Sequence, residues 1–254
     1  MTINLQSITD RWLWQTAAGP ILKHPLVQDL AWSQSLATSE GKALTGEERF
    51  RESLAWKTQA LQRAYERRDW ASWIGIHERY ARPEALFGIM EDDDIELDEW
   101  LGLVLEVWDD HEYASQNDLW LEIFDRIPDK RLLMSKNDLR HLDQLPDPVT
   151  VWRGLAVEPD LIDEIDFGHN WSWSLDREKA EWFSNRHARA RRIPVLIEAD
   201  IPSEHWIAYH SGRSESELIC QPDVLGYVGF GLIRAELGDQ ARVLPSTLKE
   251  ACYA

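Results

Sequence analysis

Leu145-Pro146-Asp147-Pro148-Val149-Thr150-Val151-Trp152-Arg153-Gly154 decides how this chain is read. Ahead of the two prolines the apolar residues recur with a helical period. Proline lacks the backbone N–H and restricts the residue before it, so the pair ends that pattern. Val149-Thr150-Val151-Trp152 is β-branched and aromatic, a strand composition, and Arg153-Gly154 reads as its close. The expected organisation is a helical region over residues 1–147 and an α+β region over 148–254 in which antiparallel strands dominate.

Working upstream, Thr45 and Glu48 have capping-box spacing, and Phe50, Leu54, Leu61 and Tyr65 follow on one helix face. Trp70, Trp73, Ile74, His77 and Tyr80 predict a second helix ending before Pro83. Leu97, Trp100, Leu101, Val104, Leu105 and Trp108 form the cleanest apolar stripe. Leu119, Trp120, Ile123, Phe124 and Ile127 predict another helix, stopped by Pro128, and Ser135 with Asp138 opens a short one. Gly19, Pro20 and Pro25 break any long helix in residues 1–44. Working downstream, Ile193 to Ile201, Glu217 to Cys220, Tyr227 to Leu237 and Arg242 to Leu244 read as strands, and Asp176 can cap a helix carrying Ala180, Trp182 and Phe183.

The 254 residues carry Lys+Arg 27 against Asp+Glu 45, a net charge of −18, and are 44% hydrophobic. That is globular composition, and the acidity argues against a protein whose main task is gripping a nucleic-acid backbone, without excluding a nucleic acid as a transient substrate. Cys220 and Cys252 cannot by themselves make a zinc site or a disulfide framework, and no run approaches the roughly 18 apolar residues of a membrane span. The expectation is a soluble, cytoplasmic protein with no membrane partner. The 14 tryptophans read first as core packing.

HExxH, GxSxG and GxxxxGK[ST] are absent. Gly226, Gly229 and Gly231 read as strand bends, because no helix follows them as a dinucleotide fingerprint requires. Asp92-Asp93-Asp94 and Asp109-Asp110-His111-Glu112 sit at helix boundaries and read as caps or solvated charge before metal ligands, so no metal is expected. Three other elements form an ordered set: Arg153 at a strand end, Trp171-Ser172-Trp173-Ser174 entering a short helix, and Glu215-Ser216-Glu217 opening a strand after a polar turn. On a strand, Glu215 and Glu217 point to the same face.

This set resembles the Arg–Ser–Glu clade of mono-ADP-ribosyltransferases, the group of cholera-toxin-like and C2/C3-like toxins. The resemblance covers residues 149 to about 245, and it departs from the pattern at Trp173, where the family has Thr. It implies an ADP-ribosyltransferase-like antiparallel β-sandwich core with short helices, and NAD+ as substrate. Arg153 would meet the diphosphate or neighbouring ribose with a planar, permanently charged fork; the alternative is a strand-end ion pair. Glu217 would hold the ribose and its developing positive charge. Ser172 would orient Glu217, with Ser174 beside it, or else be an ordinary strand hydroxyl. Glu215 would position and deprotonate the acceptor, with Tyr209 as an aromatic recognition residue; the alternatives are a solvated edge charge and a surface tyrosine.

Phe183 or Trp171 would stack on nicotinamide, although core packing is the better reading for each. The basic run Arg186 to Arg192 would contact the cofactor phosphates or a nucleic-acid acceptor, or be a solvated helix end. The implied activity is transfer of ADP-ribose to a protein arginine or a nucleobase, in a bacterial or phage effector or toxin, with an antitoxin or other regulator as partner. A catalytically silent member of the fold and an NAD+ glycohydrolase are the competing readings.

Overall fold

The computed structural model describes residues 12–16, 19–30, 34, 36–37, 43–91, 95–110, 117–158, 171–188, 192–212, 216–221, 234–237 and 240–243. The chain forms two compact units, Met1–Tyr113 and Ala114–Ala254. Both mix helices with antiparallel strands, so the fold is α+β, and no described helix is long and apolar enough to cross a membrane.

The first unit is not helical throughout. Strands β1 (Leu13–Thr16), β2 (Gly19–His24) and β3 (Val27–Asp29) form an antiparallel sheet, and β4 (Leu36–Ala37) pairs with β5 (Ala43–Leu44). Gly19, with φ 110, takes a backbone conformation that side chains disfavour, just where β1 turns into β2. Helix α1 (Gly46–Glu66) starts on the expected capping box: Glu48 N–H donates to Thr45 Oγ1, and Thr45 N–H donates to Glu48 Oε2. Its buried Phe50, Leu54 and Leu61 pack with Leu22, Leu26 and Val27 of the β-hairpin region, while Tyr65 stays at the surface.

Helix α2 (Trp70–Ile76) is shorter than the apolar pattern predicts, and a single 3-10 turn at Arg79–Ala81 leads into α3 (Arg82–Glu91). Pro83 thus opens a helix rather than following one, since a first-turn residue has no intrahelical acceptor for its N–H. In α4 (Leu97–Asp110), Trp100 and Val104 are fully buried, and the Trp100 indole N–H donates to the Leu86 carbonyl at 3.0 Å. Asp110, at the last turn of α4, cannot be a favourable cap there. It is held instead by ion pairs with Arg79, at 3.3 Å, and Arg82. Asp92–Asp94, His111 and Glu112 lie outside the described residues.

Among the described residues, the second unit contains α5 (Asn117–Asp125), α6 (Lys136–Leu142) and α7 (Arg177–His187) with seven strands: β6 (Val149–Val157), β7 (Ser172–Ser174), β8 (Ile193–Ile201), β9 (Trp206–His210), β10 (Glu217–Cys220), β11 (Arg234–Leu237) and β12 (Gln240–Val243). They form one antiparallel sheet in the order β12-β11-β8-β6-β7-β10-β9. The unit begins before Pro146, because the preceding helices pack on this sheet. Phe124 of α5 lies 5.5 Å from the Trp171 ring, and His141 of α6 lies 4.4 Å from the Tyr209 ring. The change of pattern at Pro146 therefore marks a change of secondary structure, not the boundary of a packing unit.

Strand β6 does not close at Arg153-Gly154 but runs to Val157, paired with β8 along its whole length. Gly154 has a different purpose. A Cβ there would sit 1.8 Å from the Ala180 carbonyl oxygen and 2.6 Å from the Ser184 nitrogen, both backbone atoms of α7. The missing side chain lets α7 lie directly on β6. Gly154→Ala should therefore lower unfolding stability by about 1–3 kcal/mol, the usual cost of overpacking. A thermal melt indistinguishable from that of the parent chain would refute this close approach.

In the first unit, His24 accepts the Leu26 N–H on Nδ1 and sits edge-on to Trp12 and Phe50. Burial, helped by His77 and Lys57, lowers its pKa from 6.5 to about 4. The unfolded chain then binds the proton more readily between those values. The stability this neutral ring contributes is present above pH 6.5 and lost as pH falls toward 4. Denaturant titrations of the parent and a His24→Asn variant at pH 7 and pH 5 should show a smaller pH loss in the variant. Equal losses would rule out His24 as the source.

Candidate active site

Strand β7 is short because Ser174 is already committed to a turn: its Oγ accepts the Asp176 N–H at 3.0 Å and donates to the Asp176 carbonyl. Asp176 then caps α7 by accepting the N–H groups of Glu178 and Lys179. Three residues of strand thus carry the chain from the sheet into the helix above it. Strand β10 lies against β7 with Glu217 opposite Ser174 and Ile219 opposite Ser172. On its other side, Glu217 is opposite His210 of β9. Gly212 folds back over His210, where a Cβ would stand 2.2 Å from the imidazole Nε2.

Between β6 and β7 the ladder consists of a single pair, Trp152 with Ser174. Opposed residues on neighbouring strands share a face, so Trp152, Ser174, Glu217 and His210 form one row across four strands. Beyond that row β6 and β7 separate, and a pocket of about 370 Å³ opens between them. Arg153, Leu155 and Ala156 line it from β6, Ser172 from β7, Phe183 from α7 and Glu217 from β10. Arg192 also lines it, just ahead of β8.

The Arg153 guanidinium spans the separation and donates through Nη1 to the Ser172 carbonyl. It replaces a ladder hydrogen bond that the diverging backbones no longer make. Its Nε is buried without a hydrogen-bond partner among the described residues. Burial lowers its pKa to about 10, against the opposing pull of Glu217. A desolvated cation with an unused N–H is suited to an anionic ligand, which would supply the missing acceptor.

Glu217 is 9% exposed at the start of a strand whose next three residues are all buried. Ser216, before it, has φ 45, a left-handed conformation uncommon for a residue with a side chain. The Ser216 carbonyl accepts the Leu175 N–H at 2.9 Å, which fixes the bend to the end of β7. Two strand neighbours and an anchored bend hold this carboxylate in one place. Cys220 is 2% exposed, and burial with the Glu217 charge raises its thiol pKa well above the ordinary value, which disfavours the thiolate.

The fold therefore brings Arg153, Ser172, Ser174, Phe183 and Glu217 to one pocket. Arg153 stands within β6 rather than at its end, and the residue opposite Glu217 is Ser174, with Ser172 on the diagonal. Tyr209 is not on a surface turn. It is 5% exposed within β9, with its ring tilted against His141 and its N–H directed at Met134 Sδ, so it is placed in the core rather than on the turn where an acceptor-recognition residue is expected. Trp171, also 5% exposed and packed on Phe124, belongs to the core as well. Glu215 lies outside the described residues, as do Arg189 and Arg191 of the basic run. Sequence reasoning missed Leu155 and Ala156 because it ended the strand at Gly154; Arg192 was signalled only by the basic run.

A scan against protein-family models and searches of curated proteins and of solved structures found no match.

The Glu217 charge acts on Arg153, and this coupling is measurable without any ligand. Arg153→Met should remove the positive charge that acts on Glu217, and adding Glu217→Gln should restore part of the loss. The double-mutant cycle should give a coupling of about 1 kcal/mol or more. Additive effects in urea denaturation would show that the two charges do not support each other.

Proposed function

We propose that this chain is an NAD+-dependent mono-ADP-ribosyltransferase, with β6–β12 and α7 as an ADP-ribosyltransferase-like core. One observation carries the reading: Arg153, Ser172 and Glu217, widely spaced in the sequence, line one pocket. Their chemistry fits NAD+. The Arg153 guanidinium has the charge and, at its buried Nε, the spare N–H to bind a diphosphate oxygen. Phe183 offers a flat apolar wall for an aromatic ring, and Glu217 places a fixed negative charge within reach of a sugar.

In the proposed reaction the bond from the ribose anomeric carbon to the nicotinamide nitrogen breaks. Its electron pair leaves on nicotinamide, which departs neutral, and positive charge develops on the ribose. Glu217 stabilises that charge, as a carboxylate does in glycoside cleavage. A lone pair on the acceptor forms the new bond to the anomeric carbon, and the acceptor's proton passes to a base, the role the sequence resemblance gives to Glu215. With water as the acceptor, the same bond breaking gives free ADP-ribose.

Incubation with NAD+ should release nicotinamide, measurable by chromatography, and Glu217→Ala should reduce the rate by about 100- to 1000-fold, the range for losing one preorganised electrostatic group. Unchanged release in the variant would remove Glu217 from the mechanism. Absence of release by the parent chain, with or without an added cell lysate, would end the enzyme reading.

A further inference from the structure

The face of α7 that leads away from the pocket carries a feature that NAD+ cleavage does not use. Lys179, Trp182 and Arg186 are spaced three and four residues apart, so they share one side of the helix. Trp182 is 50% exposed, unusual for a large indole. Lys179 Nζ lies 5.3 Å from the Trp182 ring centroid, and the Arg186 guanidinium carbon lies 5.1 Å from it. Trp182 also meets Phe183 edge-on at 5.0 Å, and Phe183 lines the pocket. The surface is therefore continuous: pocket wall, exposed indole, two cations, with Arg192 at the same pocket.

The neighbouring acids do not cancel this patch. Among the described residues of α7 and its cap, Asp176 is engaged as the helix cap and Glu181 is paired with Arg177 at 2.9 Å, which leaves Glu178 as the exposed carboxylate. A cationic and aromatic surface stands out on a chain with a net charge of −18.

We propose that this face of α7 binds single-stranded nucleic acid, which is then the macromolecule presented to the pocket; the second half of this statement rests on the transferase reading above. The choice follows from the chemistry. Lys179 and Arg186 complement phosphates, and the exposed indole supplies a stacking surface for a base that is free of a duplex. An acidic peptide would use the cations but leave the indole without a matching group. A duplex would offer phosphates but no free base face. The overall negative charge makes the contact weak and transient, and two or three cations imply a salt slope of about −1.5 to −2 in log–log form.

The test is fluorescence anisotropy without NAD+, using the full chain and a fluorescein-labelled single-stranded DNA of about 15 nucleotides, within the usual span of such sites. The matching duplex and a polyglutamate peptide serve as competitors. Binding should weaken with salt, resist both competitors, and fall about tenfold in Trp182→Ala and in the double variant K179Q/R186Q. Both changes are on an exposed helix face; if Trp182→Ala fails to fold, the double variant decides. No binding at low salt, equal displacement by duplex or peptide, or unchanged affinity in the folded variants would overturn the proposal. Because NAD+ is absent, failure here leaves nicotinamide release intact as a separate result. Loss of nicotinamide release with retained binding would instead count against the enzyme alone. If the oligonucleotide binds but ADP-ribose is transferred in a lysate only to protein, the presentation of nucleic acid to the pocket is wrong.

Discussion

The Arg153 guanidinium crossing from β6 to the Ser172 carbonyl is the contact around which the second unit is arranged. It stands where the sheet loses its regular ladder, and it brings a positive charge out of water beside Glu217. Withdrawing these two charges from water costs desolvation that packing alone would not require. A structure selected for stability alone would fill the gap with apolar side chains. The gap instead keeps a charged fork, a hydroxyl and a carboxylate facing one volume.

Helix α7 holds both sides of that volume together. Its N-terminus grows out of the Ser174–Asp176 turn on one strand, and its middle rests on Gly154 of the other. Phe183 reaches the pocket from the same helix, while Trp182 turns to the surface. One helix thus fixes the spacing of the two walls and links the pocket to the exterior.

Much of this was legible in the sequence wherever the cause was local. The capping box of α1 and the limits of β8 and β10 follow from short-range patterns and were read correctly. The gathering of Arg153, Ser172 and Glu217 was implied by the family resemblance of their ordered pattern, not by composition or periodicity. What could not be read depended on partners distant in the chain. Gly154 looks like a turn glycine until the backbone of α7 is seen upon it. Tyr209 looks like a surface aromatic until His141 and Met134 cover it. The division of the chain at Tyr113 likewise depends on α5 and α6 choosing the sheet as their packing surface.

The lone Trp152–Ser174 rung has a mechanical meaning. It joins a four-stranded ribbon, β12-β11-β8-β6, to a three-stranded one, β7-β10-β9, and elsewhere each ribbon is stitched within itself. The Arg153–Ser172 bridge and helix α7 brace the same seam, so the two plates meet through one rung, one guanidinium strut and one overlying beam. A guest in the cleft would meet jaws whose opening is already set, and would be selected by width as well as by charge.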